Sequence, residues 1–179
     1  MVQEWNNIIL IAGSARNVGK TTFVCRLLQK TKEQKPIAVK ISSHFHPQTK
    51  GLKLITEEYN CFQLFEETDK TTEKDSSLYL KNGAARSFYI QAKDEFLPDA
   101  FMALLPFLSA SSPIIIESAS LHKYIAAGLF LFIYNEDAEN KPHTKAHLKI
   151  ADFVVQSDGK SFSLQPEQLN FYTEWKIIN

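Results

Sequence analysis

Ile8-Ile9-Leu10-Ile11-Ala12-Gly13-Ser14-Ala15-Arg16-Asn17-Val18-Gly19-Lys20-Thr21-Thr22 is the stretch whose reading decides the fold. Its first five residues are apolar without polar alternation. That pattern predicts a strand covered on both faces, as in a parallel sheet. Gly13 ends the run. After Thr22, apolar residues recur at Phe23, Val24, Leu27 and Leu28 with Arg26, Gln29 and Lys30 between them, which is helical spacing. Strand, glycine-bearing loop ending Gly-Lys-Thr, then helix is the context that a phosphate-binding loop requires. The physical expectation follows. Backbone N–H groups from Gly13 to Thr22 surround a phosphate at the positive end of the helix. Gly19 allows close approach, Lys20 brings a point charge to the β/γ oxygens, and Thr21 offers a hydroxyl to Mg²⁺. The loop is one residue longer than the common G-x-x-x-x-G-K-[ST] spacing: Ser14 stands where that spacing has glycine, and the glycine is Gly13.

Outward from this loop the chain reads as alternating strands and helices. Ile37 to Ile41, opened by Pro36, predicts a second strand, followed by a polar loop with His44 and His46. Residues 52 to 81, acidic and rich in Thr and Ser, read as mobile loop with short helices. Ser87 to Ile90 predicts a strand, and Phe96 to Leu108 a helix bracketed by Pro98 and Pro106. Pro113 to Glu117, Leu129 to Tyr134 and Ala151 to Val155 predict further strands, the last as a central one. His143 and His147 read as part of a polar loop. The expected fold class is α/β, a mostly parallel sheet flanked by helices with the P-loop NTPase fold, in one nucleotide-binding domain over residues 1–179.

Bulk composition narrows the class. The chain has 179 residues, 44% hydrophobic and 22% charged, with 20 Lys+Arg against 20 Asp+Glu. A net charge of zero gives no electrostatic footprint for nucleic acid or for an anionic membrane. Cys25 and Cys61 form neither a CxxC pair nor a disulfide framework, which suits a reducing cytoplasm. No stretch approaches the roughly 20 apolar residues of a spanning helix.

A magnesium-nucleotide site also needs a carboxylate at the end of a neighbouring strand. Glu117 ends the run Ile114-Ile115-Ile116 before Ser118-Ala119-Ser120, and is the first candidate for metal and catalysis alongside Lys20. The competing role is a cap for a following helix. Asp75 is the second metal candidate, and it could equally N-cap a helix starting at Ser76. His44 and His46, at i and i+2, suit a metal or phosphate ligand, or are two solvated histidines. No residue announces itself as the base that orients water. The guanine signature N-K-x-D is missing. Asp158, in Gln156-Ser157-Asp158-Gly159, could accept from guanine N1–H and N2–H₂, although Asp-Gly is also a plain turn signal.

Three stretches resemble the molybdopterin-guanine dinucleotide biosynthesis protein B (MobB) family of small GTP-binding P-loop proteins. They are the loop ending Gly19-Lys20-Thr21-Thr22; Val39-Lys40 followed by His44-x-His46; and Lys74-Asp75-Ser76 continuing into Leu80-Lys81-Asn82-Gly83-Ala84-Ala85. The strand ending at Glu117 matches the family's V-E-G segment, with Ser118 in place of its glycine. The likeness covers roughly residues 6 to 120. The segment between His46 and Lys74 is longer than the family's. The resemblance implies binding of GTP (or ATP) with Mg²⁺, slow hydrolysis, a pterin-type or other anionic small molecule as second partner, and a homodimer. In a parallel sheet the loop after the second strand and the Lys74-Asp75-Ser76 segment emerge together at the carboxyl edge beside the phosphate loop, which predicts a second-ligand pocket lined by Lys40, His44, His46 and Asp75. The longer G-x₅-GKT loop is similar to that of dethiobiotin synthetase and the cobyrinic acid amidating enzymes. That likeness implies an alternative, ATP-dependent phosphoryl transfer to a small molecule. The signature lysine of a dimer-activated ATPase branch of those proteins would fall on Ala15, so that mechanism is not implied; Arg16 is the nearest cation.

Overall fold

The computed structural model describes residues 4–139 and 141–178. The apolar run becomes β1 (Glu4–Gly13), and α1 (Lys20–Thr31) follows the loop. Then come β2 (Ile37–Ser42), β3 (Leu52–Glu58), β4 (Phe62–Glu67), α2 (Asp75–Lys81), β5 (Arg86–Ala92) and α3 (Leu97–Leu104). The chain continues through β6 (Ile114–Glu117), β7 (Ala126–Tyr134), α4 (Thr144–Ile150), β8 (Phe153–Gln156), β9 (Leu169–Phe171) and β10 (Trp175–Ile177). Eight strands make one sheet in the order β3-β4-β5-β2-β6-β1-β7-β8. β5, β2, β6, β1, β7 and β8 pair in parallel, while β3 and β4 add an antiparallel hairpin. The protein is therefore an α/β protein with a mostly parallel eight-stranded sheet flanked by helices.

β1 is paired along both edges, by β6 and β7, and both of its faces are buried in core layers. Ile9 and Ile11 face α1 and α2, with Phe23, Leu27 and Tyr79 in that core layer. Ile8 and Leu10 face the layer containing α3, with Leu97, Phe101 and Leu104. Period-two alternation thus sends successive residues into two separate cores. The β9–β10 hairpin closes the first layer with Leu169, Phe171 and Trp175, and the Trp175 indole N–H donates to the Asn7 carbonyl at 2.9 Å.

Three expectations are corrected. Residues 52–67 form the β3–β4 hairpin rather than mobile loop: Leu52, Phe62, Leu64 and Phe65 are buried, and β4 gains a hydrogen-bonded neighbour in β5. Of the acidic side chains that disguised this segment, Glu57 and Glu58 are exposed, Glu66 is half-buried and Glu67 is buried. Residues 151–156 supply an edge strand, because β8 pairs only with β7. His147 belongs to α4 and is 4% exposed, packed against Phe132 and His122. Among the described residues no helix is long and apolar enough to cross a membrane.

Candidate functional site

The β1–α1 loop leaves the carboxyl end of β1 in the middle of the sheet, where open α/β sheets present their ligand crevice. Two residues take left-handed backbone there, Asn17 at φ 59° and Gly19 at φ 93°. Gly19 is the N-cap of α1 and its side-chain-free face lies under the Phe162 ring; a Cβ would meet that ring at 2.9 Å. Among the described residues, the amides of Gly19, Lys20, Thr21 and Thr22 have no acceptor within the chain; the first to donate is Phe23, to Gly19 O at 2.9 Å. These are the orphan donors of a helix start, on a helix long enough to sum its dipole. Lys20 folds back over Gly13 and donates to the Ala15 carbonyl at 2.8 Å. Burial lowers its pKa, and the charges of Glu117 and Asp75 work against that shift. The loop can therefore hold a tetrahedral polyanion with a cation poised beside it.

Not every loop residue faces this space. Ser14 is fully buried; its N–H donates to Ile133 O at 2.9 Å, and its hydroxyl accepts from Asn135 N at 3.2 Å. Its carbonyl accepts from Lys141 N at 2.8 Å. Ser14 thus ties the loop to the segment after β7, and its amide is not available to a phosphate. Ala15 and Val18 are buried and serve packing, while Arg16 and Asn17 are exposed.

Beside the loop runs one connected polar chain. The Thr21 hydroxyl donates to Asp75 Oδ1 at 2.9 Å. Asp75 Oδ2 accepts from Lys40 Nζ at 2.8 Å, and the same ammonium lies 2.5 Å from Glu117 Oε1. Glu117 Oε2 accepts from the Tyr79 hydroxyl at 2.5 Å. Burial pulls the Lys40 pKa down, but Glu117 and Asp75 outweigh it and the net shift is upward. For Asp75, burial pushes up and is outweighed by Lys40 and the Thr21 hydrogen bond, so its carboxyl sits below the usual range. Burial and the Glu117 charge raise the Tyr79 phenol well above its ordinary value, so it stays a donor.

Both carboxylates therefore have partners other than the helix caps weighed from sequence. Asp75 is the first residue of α2, after the N-cap Lys74, and turns outward to Lys40 and Thr21. After Glu117, the Ser118 hydroxyl, not the carboxylate, accepts from the amides of Ser120 and Leu121 at 3.3 and 3.2 Å. Thr21, Asp75 and Glu117 are hard oxygen ligands suited to Mg²⁺, and the Lys40 ammonium between the two carboxylates marks a place where the fold already holds positive charge. Among the described residues no three His, Cys, Asp or Glu side chains gather as a metal-holding group. A metal on His44 and His46 is thus without a third protein ligand.

Two cavities meet at Lys40. A cleft of about 280 Å³ is lined by Arg16, Lys20, Lys40, His44, Glu117 and Lys141 among others. A chamber of about 230 Å³ is lined by Lys40, Ser42, His46, Lys74, Asp75 and Tyr89 among others. The expected four-residue pocket is accordingly divided: Lys40 and Asp75 touch, His46 joins them, and His44 faces the other cavity. The loop after β8 covers the far side of the β1–α1 loop. The Ser157 hydroxyl donates to Val18 O at 2.8 Å, and Phe162 stacks edge-on against Phe23 at 5.1 Å. Asp158 is exposed and its Oδ1 accepts from the amides of Lys160 and Ser161 at 2.8 and 2.7 Å, so half of it is committed to a turn. It borders a groove with Asn135, Glu136, Asp137 and Gln156.

Sequence reasoning missed Tyr79, Lys141 and Phe162. Tyr79 sits mid-helix among leucines and reads as core; only its hydroxyl partner reveals another role. Phe162 and Lys141 come from loops distant in sequence and carry no motif. No family model, curated protein or solved structure matches this chain.

Proposed function

We propose that this chain is a P-loop nucleoside triphosphatase that binds GTP with Mg²⁺ and hydrolyses it slowly. We further propose that it acts in the cytoplasm as an accessory factor in pterin-cofactor biosynthesis, as a divergent relative of the MobB group. The observation that carries the reading is the pairing of four acceptor-less amides, Gly19 to Thr22, with the Thr21–Asp75–Lys40–Glu117 chain directly beside them. Donors for phosphate and oxygen ligands for its counter-ion lie at one sheet edge.

In this reading the loop amides and Lys20 bind the β and γ phosphates. Because phosphoryl transfer is loose and charge spreads over the equatorial oxygens, fixed donors of this kind supply most of the catalysis. Thr21, Asp75 and Glu117 would hold Mg²⁺, which supplies charge neutralisation at the phosphate oxygens. Lys40 bridges the two carboxylates until then. For the base, the groove bordered by Asp137 and Asp158 favours guanine, whose N1–H and N2–H₂ offer adjacent donors to a carboxylate. Adenine presents a ring acceptor there, which a carboxylate repels.

A second reading, phosphoryl transfer to a small acceptor as in dethiobiotin synthetase, draws on one observation: the chamber that shares Lys40 and Asp75 with the phosphate side.

The test is direct. Purified protein is denatured, any released nucleotide is identified, and the emptied protein is titrated calorimetrically with GTP and ATP in the presence of Mg²⁺. Tight GTP binding that Lys20→Ala removes supports the reading. Equal affinity of wild type and Lys20→Ala for both nucleotides overturns it.

A further inference from the structure

The chamber beside Lys40 owes its walls to features with no other evident purpose. Its outer wall is the β2–β3 connection, and that connection is held by a side chain that is itself 1% exposed. The Gln91 carboxamide accepts from the His46 amide and donates to the His46 carbonyl at 3.3 Å. A glutamine that grips one residue's main chain from both sides fixes a loop as a strand partner would. The lining residue Ser76 is held from behind by Glu67, 3% exposed, whose Oε2 accepts from the Ser76 hydroxyl at 2.8 Å and whose Oε1 accepts from the amides of Thr68 and Asp69 at 3.0 Å each. Gly51 is needed there: a Cβ would fall 2.2 Å from Glu67 Oε1. Burying polar groups is costly unless they are fully bonded. Two such groups spent on shaping one cavity give a preformed space.

The lining has a definite chemistry. Lys40, Lys74 and His46 supply cationic or donor groups, and Asp75 is the sole carboxylate among the lining residues, already paired with Lys40 at 2.8 Å. Ser42 and Thr49 add hydroxyls. Leu52, Pro47 and the Tyr89 ring make an apolar side. Small-molecule sites have this composition, an apolar body with a few convergent polar groups. The Lys74 side chain is exposed and, among the described residues, makes no ion pair or hydrogen bond of its own.

We propose that this chamber binds a second small molecule that carries an anionic group and a ring-sized apolar body, with the anion on Lys74 and Lys40 and the body between Leu52 and Tyr89. Its placement against the nucleotide, one side chain from Thr21 through Asp75, rests on the phosphate-loop reading; its existence does not. An anion here draws Lys40 away from Asp75 and Glu117 and frees their oxygens, which couples occupancy of the chamber to the state of the Thr21 side.

Phenyl phosphate is the probe, since it joins an anion to one ring. Calorimetric titration of the full chain is run with and without pyrophosphate, which competes at the β1–α1 loop. Binding is expected to persist in pyrophosphate, to weaken by about tenfold or more in Lys74→Glu and measurably in His46→Ala, and to survive Lys20→Ala. GTP affinity should be unchanged by Lys74→Glu. Phenyl phosphate displaced by pyrophosphate and lost in Lys20→Ala, but indifferent to Lys74→Glu, overturns the proposal, as does no binding at all. A Lys74-dependent phenyl phosphate site in a protein that binds neither GTP nor ATP leaves the chamber standing and removes the nucleotide reading instead. Lys74 and His46 are exposed, so neither substitution threatens folding.

Discussion

Lys40 and Glu117 are register partners on the adjacent parallel strands β2 and β6, and their side chains meet at 2.5 Å on the face that carries α1 and α2. The pair closes the row begun by Ala38 and Ile115, so two strands that are apolar along their buried length become charged together at their carboxyl ends. Glu117 is 3% exposed. A buried carboxylate persists only when paired and hydrogen-bonded, and here Lys40 and Tyr79 meet that demand.

Removing Lys40 should therefore be costly, and Mg²⁺ should answer part of the cost. Lys40→Met leaves Glu117 and Asp75 facing one another without their cation. Urea unfolding should show a loss of about 3 kcal/mol, the scale for breaking a buried pair. Added Mg²⁺ should restore part of it by binding the folded state. Loss without any Mg²⁺ recovery would mean that these oxygens do not form a cation site.

Ser14 occupies the place of a loop glycine yet works as a brace. Ser14→Ala strips the acceptor from the Asn135 amide at a fully buried position. A loss of about 1 to 2 kcal/mol in unfolding free energy is expected. On the proposed function, nucleotide affinity measured by calorimetry should move less than about twofold, because the serine amide is already committed to Ile133 O. A large affinity loss would return Ser14 to the phosphate contacts.

Gly19→Ala should damage the loop in two ways. A non-glycine residue at φ 93° costs about 1 to 2 kcal/mol, and the new methyl would also press on Phe162. Thermal unfolding should fall by several degrees in a domain of this size. An unchanged midpoint would show that the loop relaxes freely, against the tight cover seen here.

Acid should weaken the fold through His147. Burial, then His122 and His143, push its imidazole down to about 4, while an unfolded histidine titrates near 6.5. The unfolded chain thus binds the proton first, and stability falls as pH drops from about 6.5 toward 4. His122, lowered chiefly by burial, adds in the same direction. Urea midpoints at pH 7, 5.5 and 4.5 should decline in the wild type and decline less in His147→Leu. Parallel slopes for both proteins would assign the effect elsewhere. The depressed Asp75 carboxyl acts in a lower window, its contribution lost only below the usual carboxylate range.

The local parts of this protein were legible in the sequence by itself. Unbroken apolar runs at residues 8–12, 37–39 and 114–116 forced doubly covered strands, and Gly19-Lys20-Thr21 after the first of them, with helical spacing beyond, forced a loop with free amides at a helix start. Lys40 and Glu117 stood out because a charge ending an apolar segment needs a reason, and Asp75 through the Lys74-Asp75-Ser76 stretch. What the sequence could not decide was whom those charges meet. Strand order puts β6 between β1 and β2, and register then sets Lys40 opposite Glu117 across 77 residues. The same holds for the β3–β4 hairpin, whose short alternating runs are too polar to declare themselves but become a sheet extension once β5 offers a free edge. It holds also for His147, which local pattern left in a loop and α4 buries. Periodicity is a property of neighbours along the chain; pairing, burial of polar groups and the walls of a cavity are properties of neighbours in space, and only tertiary structure makes those neighbours.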